Sequence, residues 1–163
     1  MPEKRIIFVM GVSGSGKSTI GKMLAATLSS PFFDGDDFHP KENIEKMASG
    51  EPLNDDDRFG WLKSLNQLAK EHTRDGAVIA CSALKEKYRA LLSDSIAEKV
   101  AFVYLRGSFE EIKARMQQRE GHFMAADMLQ SQFDTLEPPS GAITVSISET
   151  PKQMVQTILN HLN

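Results

Sequence analysis

Residues 11–18 carry the clearest chemical pattern in the chain, a glycine-rich segment that ends in lysine and serine. They match G-x-x-x-x-G-K-[S/T], the pattern of phosphate-binding loops, whose backbone N–H groups surround phosphate oxygens. In such loops the lysine reaches the β- and γ-phosphates and the serine hydroxyl binds Mg²⁺. We therefore predict a site for ATP and Mg²⁺ that is formed by Gly11, Val12, Ser13, Gly14, Ser15, Gly16, Lys17, Ser18 and Thr19.

The segments on either side of this loop favour the same interpretation. Residues 5–10 form a short apolar run, rich in β-branched side chains, that is typical of a buried strand. Ile20, Leu24 and Leu28 then recur at helical spacing. A glycine-rich turn that binds nothing is the alternative, but a strand before the loop and a helix after it favour a phosphate site.

Acidic residues cluster after the second apolar run, in Asp34, Asp36 and Asp37. Many phosphate-loop proteins place a metal-binding aspartate at the end of another strand. Neither residues 77–81 nor residues 100–105 end in an acidic residue. We therefore predict that this acidic turn organises the metal and meets an acceptor hydroxyl. A solvated acidic turn is the alternative.

Arg58 follows three aspartates at a predicted helix start. Aspartates there suit the helix dipole, whereas a cation opposes it. Arg58 either pairs with its acidic neighbours or offers its guanidinium to a substrate carboxylate. Residues 57–60 also match a GTPase D-x-x-G motif, but no strand leads into them and no N-K-x-D motif occurs in the chain.

Other cations and two histidines lie near the same predicted site. Lys85 and Arg89 are four residues apart after the third predicted strand, and either solvation or substrate binding would explain them. Arg115 and Arg119 have the same spacing, and Arg119 opens a segment that suits a lid over the transferred phosphate, about residues 119–135. His39 and His122 lack metal-ligand spacing. We predict that His39 binds the substrate.

Strands and helices alternate along the whole chain. The predicted strands are residues 5–10, 31–34, 77–81, 100–105 and 143–147. Ser108 with Glu111, and Thr150 before Pro151, mark helix starts. This alternation predicts an α/β fold, a parallel sheet with helices on both faces and the ligand at the carboxyl ends of the strands.

Composition narrows the class of protein. A chain of 163 residues with 40% hydrophobic content predicts one domain, residues 1–163. A net charge of −3 without a basic tract argues against nucleic acid or an anionic membrane as partner. The longest apolar runs are too short to span a bilayer. Cys81 is the only cysteine, which fits a reducing cytoplasm.

Several segments together resemble the gluconokinase family, a short P-loop type similar to shikimate kinase and the nucleoside monophosphate kinases. The segments are residues 11–18, 34–36, 39–40, 43–47, 50–62, 81–89, 121–123 and 128–137. The resemblance covers nearly the whole chain. It implies a five-stranded parallel sheet, the use of ATP and Mg²⁺, phosphorylation of D-gluconate to 6-phosphogluconate, and a homodimer.

Similarity to the shikimate kinase pattern also implies residue roles. Asp36 would meet the acceptor hydroxyl and Arg58 the substrate carboxylate. Arg115 and Pro151 would enclose adenine, and Arg119 would be the lid arginine. Shikimate kinases have a further carboxylate-binding arginine where this chain has Gln132, which leaves Lys85 and Arg89 as candidates to join Arg58.

Two alternatives stay open at this stage. One is a kinase for another small hydroxy acid, such as shikimate, or for a nucleoside monophosphate. The other is an ATP-binding regulatory module with no acceptor, against which Asp36 and the lid arginines argue.

Overall fold

A computed structural model describes residues 4–118 and 126–162. The described residues form a five-stranded sheet with helices on both faces. The strands are β1 (Ile6–Met10), β2 (Phe32–Asp34), β3 (Ala77–Ala80), β4 (Val100–Arg106) and β5 (Ile143–Ser146). The α-helices are α1 (Lys17–Leu28), α2 (Lys41–Ala48), α3 (Asp55–Glu71), α4 (Glu86–Leu92), α5 (Phe109–Gln118), α6 (Ala126–Thr135) and α7 (Pro151–Leu162). Short 3₁₀ helices cover Gly35–Phe38 and Ala97–Lys99.

The strand order is β2-β3-β1-β4-β5 and every pairing is parallel. The predicted parallel sheet is confirmed, and the predicted strand bounds differ from the structure by one residue at a few ends. β1 lies at the centre and pairs with β3 on one side and with β4 on the other. Loops at the carboxyl end of β1 therefore open into the crevice where ligands bind in such sheets.

The alternation of side chains along β1 divides the core into two layers. Ile7 and Val9 pack with α1 and α7, whereas Ile6, Phe8 and Met10 pack with α3 and α4. All five are buried, as expected for a central strand that is covered on both faces. The sheet is thus a rigid base for the loops that follow its strands.

Side-chain caps fix the starts of three helices. Asn54 and Asp57 form a reciprocal capping box at the start of α3. Ser108 caps α5 together with Glu111, and Thr150 caps α7 together with Gln153. The predicted helix starts at α3, α5 and α7 are confirmed. Among the described residues, no helix is long and apolar enough to cross a membrane.

Candidate active site

The glycine-rich segment forms an open loop between β1 and α1. Gly14 and Gly16 have φ angles of 82° and 97°, a region that residues with a Cβ rarely adopt. A Cβ at Gly14 would also lie 2.8 Å from Met116 Cγ. The first turn of α1 contains no acidic residue and receives no side-chain cap. Its N–H groups and dipole therefore remain available to an anion.

Lys17 lies across this loop. Its Nζ donates to the carbonyl oxygens of Gly11 and Val12, each at 3.0 Å. Burial lowers the pKa of Lys17, while Asp36 and Asp34 act in the opposite direction. The ammonium group thus lies between the phosphate loop and the acidic turn, where it can contact a phosphoryl group in transfer.

The acidic turn faces the start of α1. Ser18 Oγ donates to Asp34 Oδ2 at 3.3 Å, and Asp34 Oδ1 accepts from the Asp36 N–H at 3.0 Å. Asp36 keeps solvent exposure, yet nearby protein atoms raise the pKa of its carboxyl group by desolvation. Asp34 adds to that rise and Lys17 opposes it. The alternative of a merely solvated turn does not explain this convergence of Asp34 and Asp36 on Ser18 and Lys17.

These groups also fit a magnesium site. Mg²⁺ prefers oxygen ligands and usually binds one or two carboxylates together with waters and substrate phosphates. Ser18 Oγ and the Asp34 carboxylate supply such oxygens next to the helix start that would hold the phosphates. In the described part of the chain, no three His, Cys, Asp or Glu side chains converge on one metal position. Ser18 and Asp34 therefore fit a Mg²⁺ ion that takes its remaining ligands from waters and phosphates.

Arg58 is oriented by a tyrosine and has no ion pair among the described residues. Its Nη1 donates to Tyr88 Oη at 3.0 Å, and Tyr88 in turn donates to Asp55 Oδ1 at 2.5 Å. Asp55 also bonds Lys85 and Lys87, and these bonds, with that from Tyr88, hold the pKa of its carboxyl group well below its usual range. Asp55 therefore bonds Lys85, Lys87 and Tyr88, and it is linked to Arg58 through Tyr88.

Asp57 also bonds residues other than Arg58. It accepts from Lys46 Nζ at 2.7 Å and from the Asn54 N–H at 2.9 Å. The Lys46 bond makes the largest contribution to the lowered pKa of Asp57. Of the two interpretations of Arg58, the structure favours a guanidinium group that is held by Tyr88 and still has donors for an anion.

Lys85 and Arg89 have different surroundings. Lys85 Nζ is 3.4 Å from Asp55 Oδ1 and lies over the ring of Tyr88, which Arg58 also contacts. Arg89 is buried, and it donates to the carbonyl oxygens of Ala83 at 2.8 Å and Glu137 at 2.9 Å. This arrangement gives Arg89 a structural role and argues against its predicted contact with substrate. The spacing of Lys85 and Arg89 in the sequence could not show that their surroundings differ, because both residues follow β3.

Arg115, which is predicted to enclose adenine together with Pro151, lies beside the phosphate loop. Arg115 donates to the carbonyl oxygen of Ile147, in the segment that leads to Pro151 at the start of α7. Its Nη1 is 3.9 Å from the position of a Cβ on Gly16, so α5 approaches the phosphate loop here. Arg119 and most of the first half of the predicted lid lie outside the described residues, and their roles stay predictions.

Gln132 contacts the phosphate loop, which the sequence did not predict. Its Oε1 accepts from the Ser13 N–H at 2.7 Å, and its Nε2 donates to Ser13 Oγ at 3.0 Å. A two-bond amide contact therefore joins α6 to the phosphate loop. The signal in the sequence was the departure from the arginine of shikimate kinases, which indicated a changed role without giving its new partner.

A central parallel sheet, a phosphate loop after its first strand and a carboxylate facing the loop lysine define a P-loop kinase. A profile of the shikimate kinase family matches residues 13–162. The thermoresistant gluconokinase of Escherichia coli (strain K12) is 49% identical over 139 residues, which covers 84% of this chain and 79% of that protein. The gluconokinase of Arabidopsis thaliana is 43% identical, with 95% and 90% covered.

A solved structure gives the same result in three dimensions. The crystal structure of a gluconokinase from Sinorhizobium meliloti 1021 superimposes with a TM-score of 0.92 at 42% identity, covering 99% of this chain and 93% of that one. The chain belongs to the gluconokinase family, within the shikimate kinase group of P-loop kinases.

Proposed function

We propose that this kinase transfers the γ-phosphoryl group of ATP to the 6-hydroxyl group of D-gluconate and so forms 6-phospho-D-gluconate and ADP. The observation that carries the proposal is the position of Asp36. Asp36 lies on the acidic turn whose Asp34 carboxylate bonds Ser18 at the start of α1. The same turn ends at His39, which stacks on Trp61 of α3, the helix that carries Arg58. An acceptor between Asp36 and Arg58 would have its hydroxyl at one end and its carboxylate at the other, as gluconate does.

The phosphate side would bind ATP through backbone N–H groups within residues 11–19, apart from that of Ser13, which donates to Gln132, with Lys17 at the β- and γ-phosphates. Ser18 would bind Mg²⁺ directly and Asp34 through a water. When bound, Mg²⁺ neutralises charge on the phosphates. Arg115 and Pro151 are proposed to enclose the adenine ring, since Arg115 lies between the phosphate loop and the segment that leads to α7.

The acceptor side would supply alignment and a base. The 6-hydroxyl oxygen of gluconate forms a bond to the γ-phosphorus, and the Asp36 carboxylate accepts the proton of that hydroxyl group. The bond from that phosphorus to the β,γ-bridging oxygen breaks, and ADP leaves with the electron pair. A raised pKa suits this role, because a more basic carboxylate accepts the proton more readily.

Arg58 would bind the gluconate carboxylate. Tyr88 orients its guanidinium group from one side and leaves the remaining N–H groups for an anion. Lys85 adds positive charge nearby, although its bond to Asp55 neutralises part of that charge. Gln132 is neutral and bonded to Ser13, so it does not supply the second cation that a shikimate site would have.

An ADP-release assay across acceptors tests the proposal. The panel contains D-gluconate, other sugar acids, shikimate and nucleoside monophosphates. We expect the highest kcat/KM with D-gluconate and a phosphorylated product at carbon 6 by ³¹P NMR. A higher kcat/KM with shikimate or a nucleotide would refute the substrate, and no turnover with any acceptor would indicate an ATP-binding module. The homodimer and the cytoplasmic location also stay proposals, and light scattering would test the dimer.

A further inference from the structure

His39 is held in one orientation by two neighbours. Its imidazole ring stacks on the indole ring of Trp61, with a centroid distance of 4.1 Å and an interplanar angle of 17°. Trp61 itself is buried and donates from Nε1 to the Gly35 carbonyl oxygen at 2.8 Å. Asn43 Nδ2 lies 3.2 Å from His39 Nδ1. The ring therefore has little freedom to rotate between the acidic turn and α3.

The second hydrogen bond of Asn43 decides which atom faces His39. Asn43 is buried, and its Nδ2 also donates to the Asp57 carbonyl oxygen at 2.8 Å. A flipped amide would place its oxygen against that carbonyl oxygen, which is unfavourable because neither atom can donate. Nδ2 therefore uses its two hydrogens on Asp57 and His39.

Because Asn43 Nδ2 can only donate, His39 Nδ1 must accept. An imidazole that accepts at Nδ1 is neutral and carries its proton on Nε2. Burial lowers the pKa of His39, with Arg58 acting in the same direction and Asp36 against it. Among the described residues, Nε2 has no hydrogen-bond partner, so its N–H group remains available to a ligand.

The ring lies between the two groups that are proposed to bind the ends of the acceptor. Asp36 precedes it on the 3₁₀ helix and Arg58 projects from α3. A neutral ring suits this place, because an imidazolium would pair with the Asp36 carboxylate and make it less basic. We propose that Asn43 fixes His39 as the Nε2–H tautomer and that His39 donates a hydrogen bond to a secondary hydroxyl group of the acceptor chain.

This inference rests on the proposed function, since the acceptor hydroxyls are those of a linear sugar acid. It makes His39 a specificity residue and Asn43 a positioning residue. A site that donates to a substrate hydroxyl should reject an analogue without that hydroxyl, because the donor is then left unpaired.

Nitrogen NMR tests the tautomer on the unliganded, full-length protein. The chain has four histidines, and the His39 signals are assigned from the spectrum of a His39→Gln variant. At pH 7.5 we expect long-range proton–nitrogen correlations of a neutral ring protonated at Nε2. Asn43→Asp places an acceptor at Nδ1 and should move the proton to Nδ1 or produce an imidazolium. A wild-type ring protonated at Nδ1 would overturn the inference.

Deoxy analogues test the hydrogen bond to substrate. We expect wild-type enzyme to lose about 5- to 100-fold in kcat/KM on at least one of 2-, 3-, 4- and 5-deoxygluconate. His39→Phe keeps an aromatic ring against Trp61 but has no donor, and its preference for gluconate over that analogue should fall to within about threefold. His161→Phe, on the exposed face of α7, is the matched control and should keep the wild-type preference.

The possible failures are distinguishable. If wild-type enzyme does not phosphorylate gluconate, the proposed function fails before any variant is made. If it does, but either ignores every deoxy change or keeps its discrimination in His39→Phe, the role of His39 is refuted. If His39→Phe does not fold, the tautomer measurement decides the matter together with His39→Leu, which has no donor and should also lose the preference. His39→Gln keeps an N–H donor and should retain it.

Discussion

The phosphate side and the acceptor side of this site are constructed differently. On the phosphate side, residues 11–19 lie in one continuous loop and helix start, and their ligand groups are mostly backbone N–H groups. On the acceptor side, Asp36 and His39 come from the 3₁₀ helix and the residue that ends it, whereas Arg58 comes from α3. Side chains of α2 and α4 hold two of them, since Asn43 bonds His39 and Tyr88 bonds Arg58.

This difference predicts how each side responds to mutation. A backbone cradle depends on glycine conformations and on one lysine, so side-chain changes elsewhere should leave ATP binding intact. The acceptor side depends on networks such as Asp55–Tyr88–Arg58 and Asp57–Asn43–His39. Changes there should alter the kinetic constants for gluconate first.

The largest effect is expected at Asp36. Asp36→Asn keeps the size and hydrogen bonding of the side chain but cannot accept a proton, so we expect kcat to fall by about 10²–10⁴-fold with little change in ATP binding. Burial and Asp34 raise the pKa of Asp36, so in wild-type enzyme activity should fall as the pH drops through that raised pKa. Steady-state kinetics and pH profiles measure both effects.

Neighbouring aspartates provide the controls for Asp36. Asp37→Asn should keep most of the activity, whereas Asp34→Asn should change the Mg²⁺ dependence. If Asp37→Asn abolishes turnover while Asp36→Asn keeps the wild-type kcat, the base is one residue further along the chain. If neither change matters, the acceptor does not bind at this turn.

On the phosphate side, the matching change is Lys17→Met. It removes the charge that faces the transferred phosphoryl group, and we expect turnover to fall by at least about 10²-fold. Because Lys17 bonds only backbone carbonyls of its own loop, the thermal unfolding midpoint should stay near the wild-type value. Near-normal turnover in a folded variant would refute the phosphate-loop assignment.

The Arg58→Ala variant tests whether gluconate binding can be weakened without a change in ATP binding. A lost charge-assisted hydrogen bond costs about 2–3 kcal/mol, so KM for gluconate should rise about 30- to 160-fold while KM for ATP stays within about twofold. Tyr88→Phe removes only the hydroxyl that orients Arg58 and should give a smaller shift in the same constant. If KM for ATP rises and that for gluconate does not, Arg58 belongs to the phosphate side.

The phosphate side and the fold could be predicted from the sequence because their signals are local. A loop pattern between a strand and a helix places Lys17 and Ser18, and capping residues at positions 108 and 150 mark helix starts. Alternating apolar runs predicted the parallel sheet, because buried central strands require helices on both faces.

The acceptor side could be predicted only in part, because its contacts join distant residues. Nothing near Arg58 in sequence indicates that Tyr88 orients it, and nothing near Arg89 indicates that it bonds the Glu137 carbonyl oxygen. Lys85 and Arg89 have equivalent spacing, yet one lies beside the site and the other is buried. Burial and hydrogen-bond partners separate them, and both are properties of the folded chain.

Mutation of Gln132 should have the smallest effect of those considered. Gln132 is also the one residue of the phosphate side that lies far from the loop in the sequence. It belongs to α6, yet its amide bonds both the N–H and the hydroxyl of Ser13. Ser13 follows Gly11 and Val12, whose carbonyls bond Lys17, so it lies near the lysine that would reach the β- and γ-phosphates. Loss of the amide should loosen this end of the loop.

We expect Gln132→Ala to raise KM for ATP about three- to tenfold, which corresponds to roughly 1 kcal/mol for a neutral hydrogen bond, and to leave KM for gluconate within about twofold. Gln132→Glu keeps an acceptor for the Ser13 N–H but adds negative charge beside the phosphates, so it should raise KM for ATP further. Gln130→Ala is the matched control on the same helix, because within the described part of the chain Gln130 bonds only Asp134, on the exposed surface. A rise in KM for gluconate instead of ATP would assign Gln132 to the acceptor side, and wild-type constants in both Gln132 variants would show that the contact with Ser13 has no effect on binding.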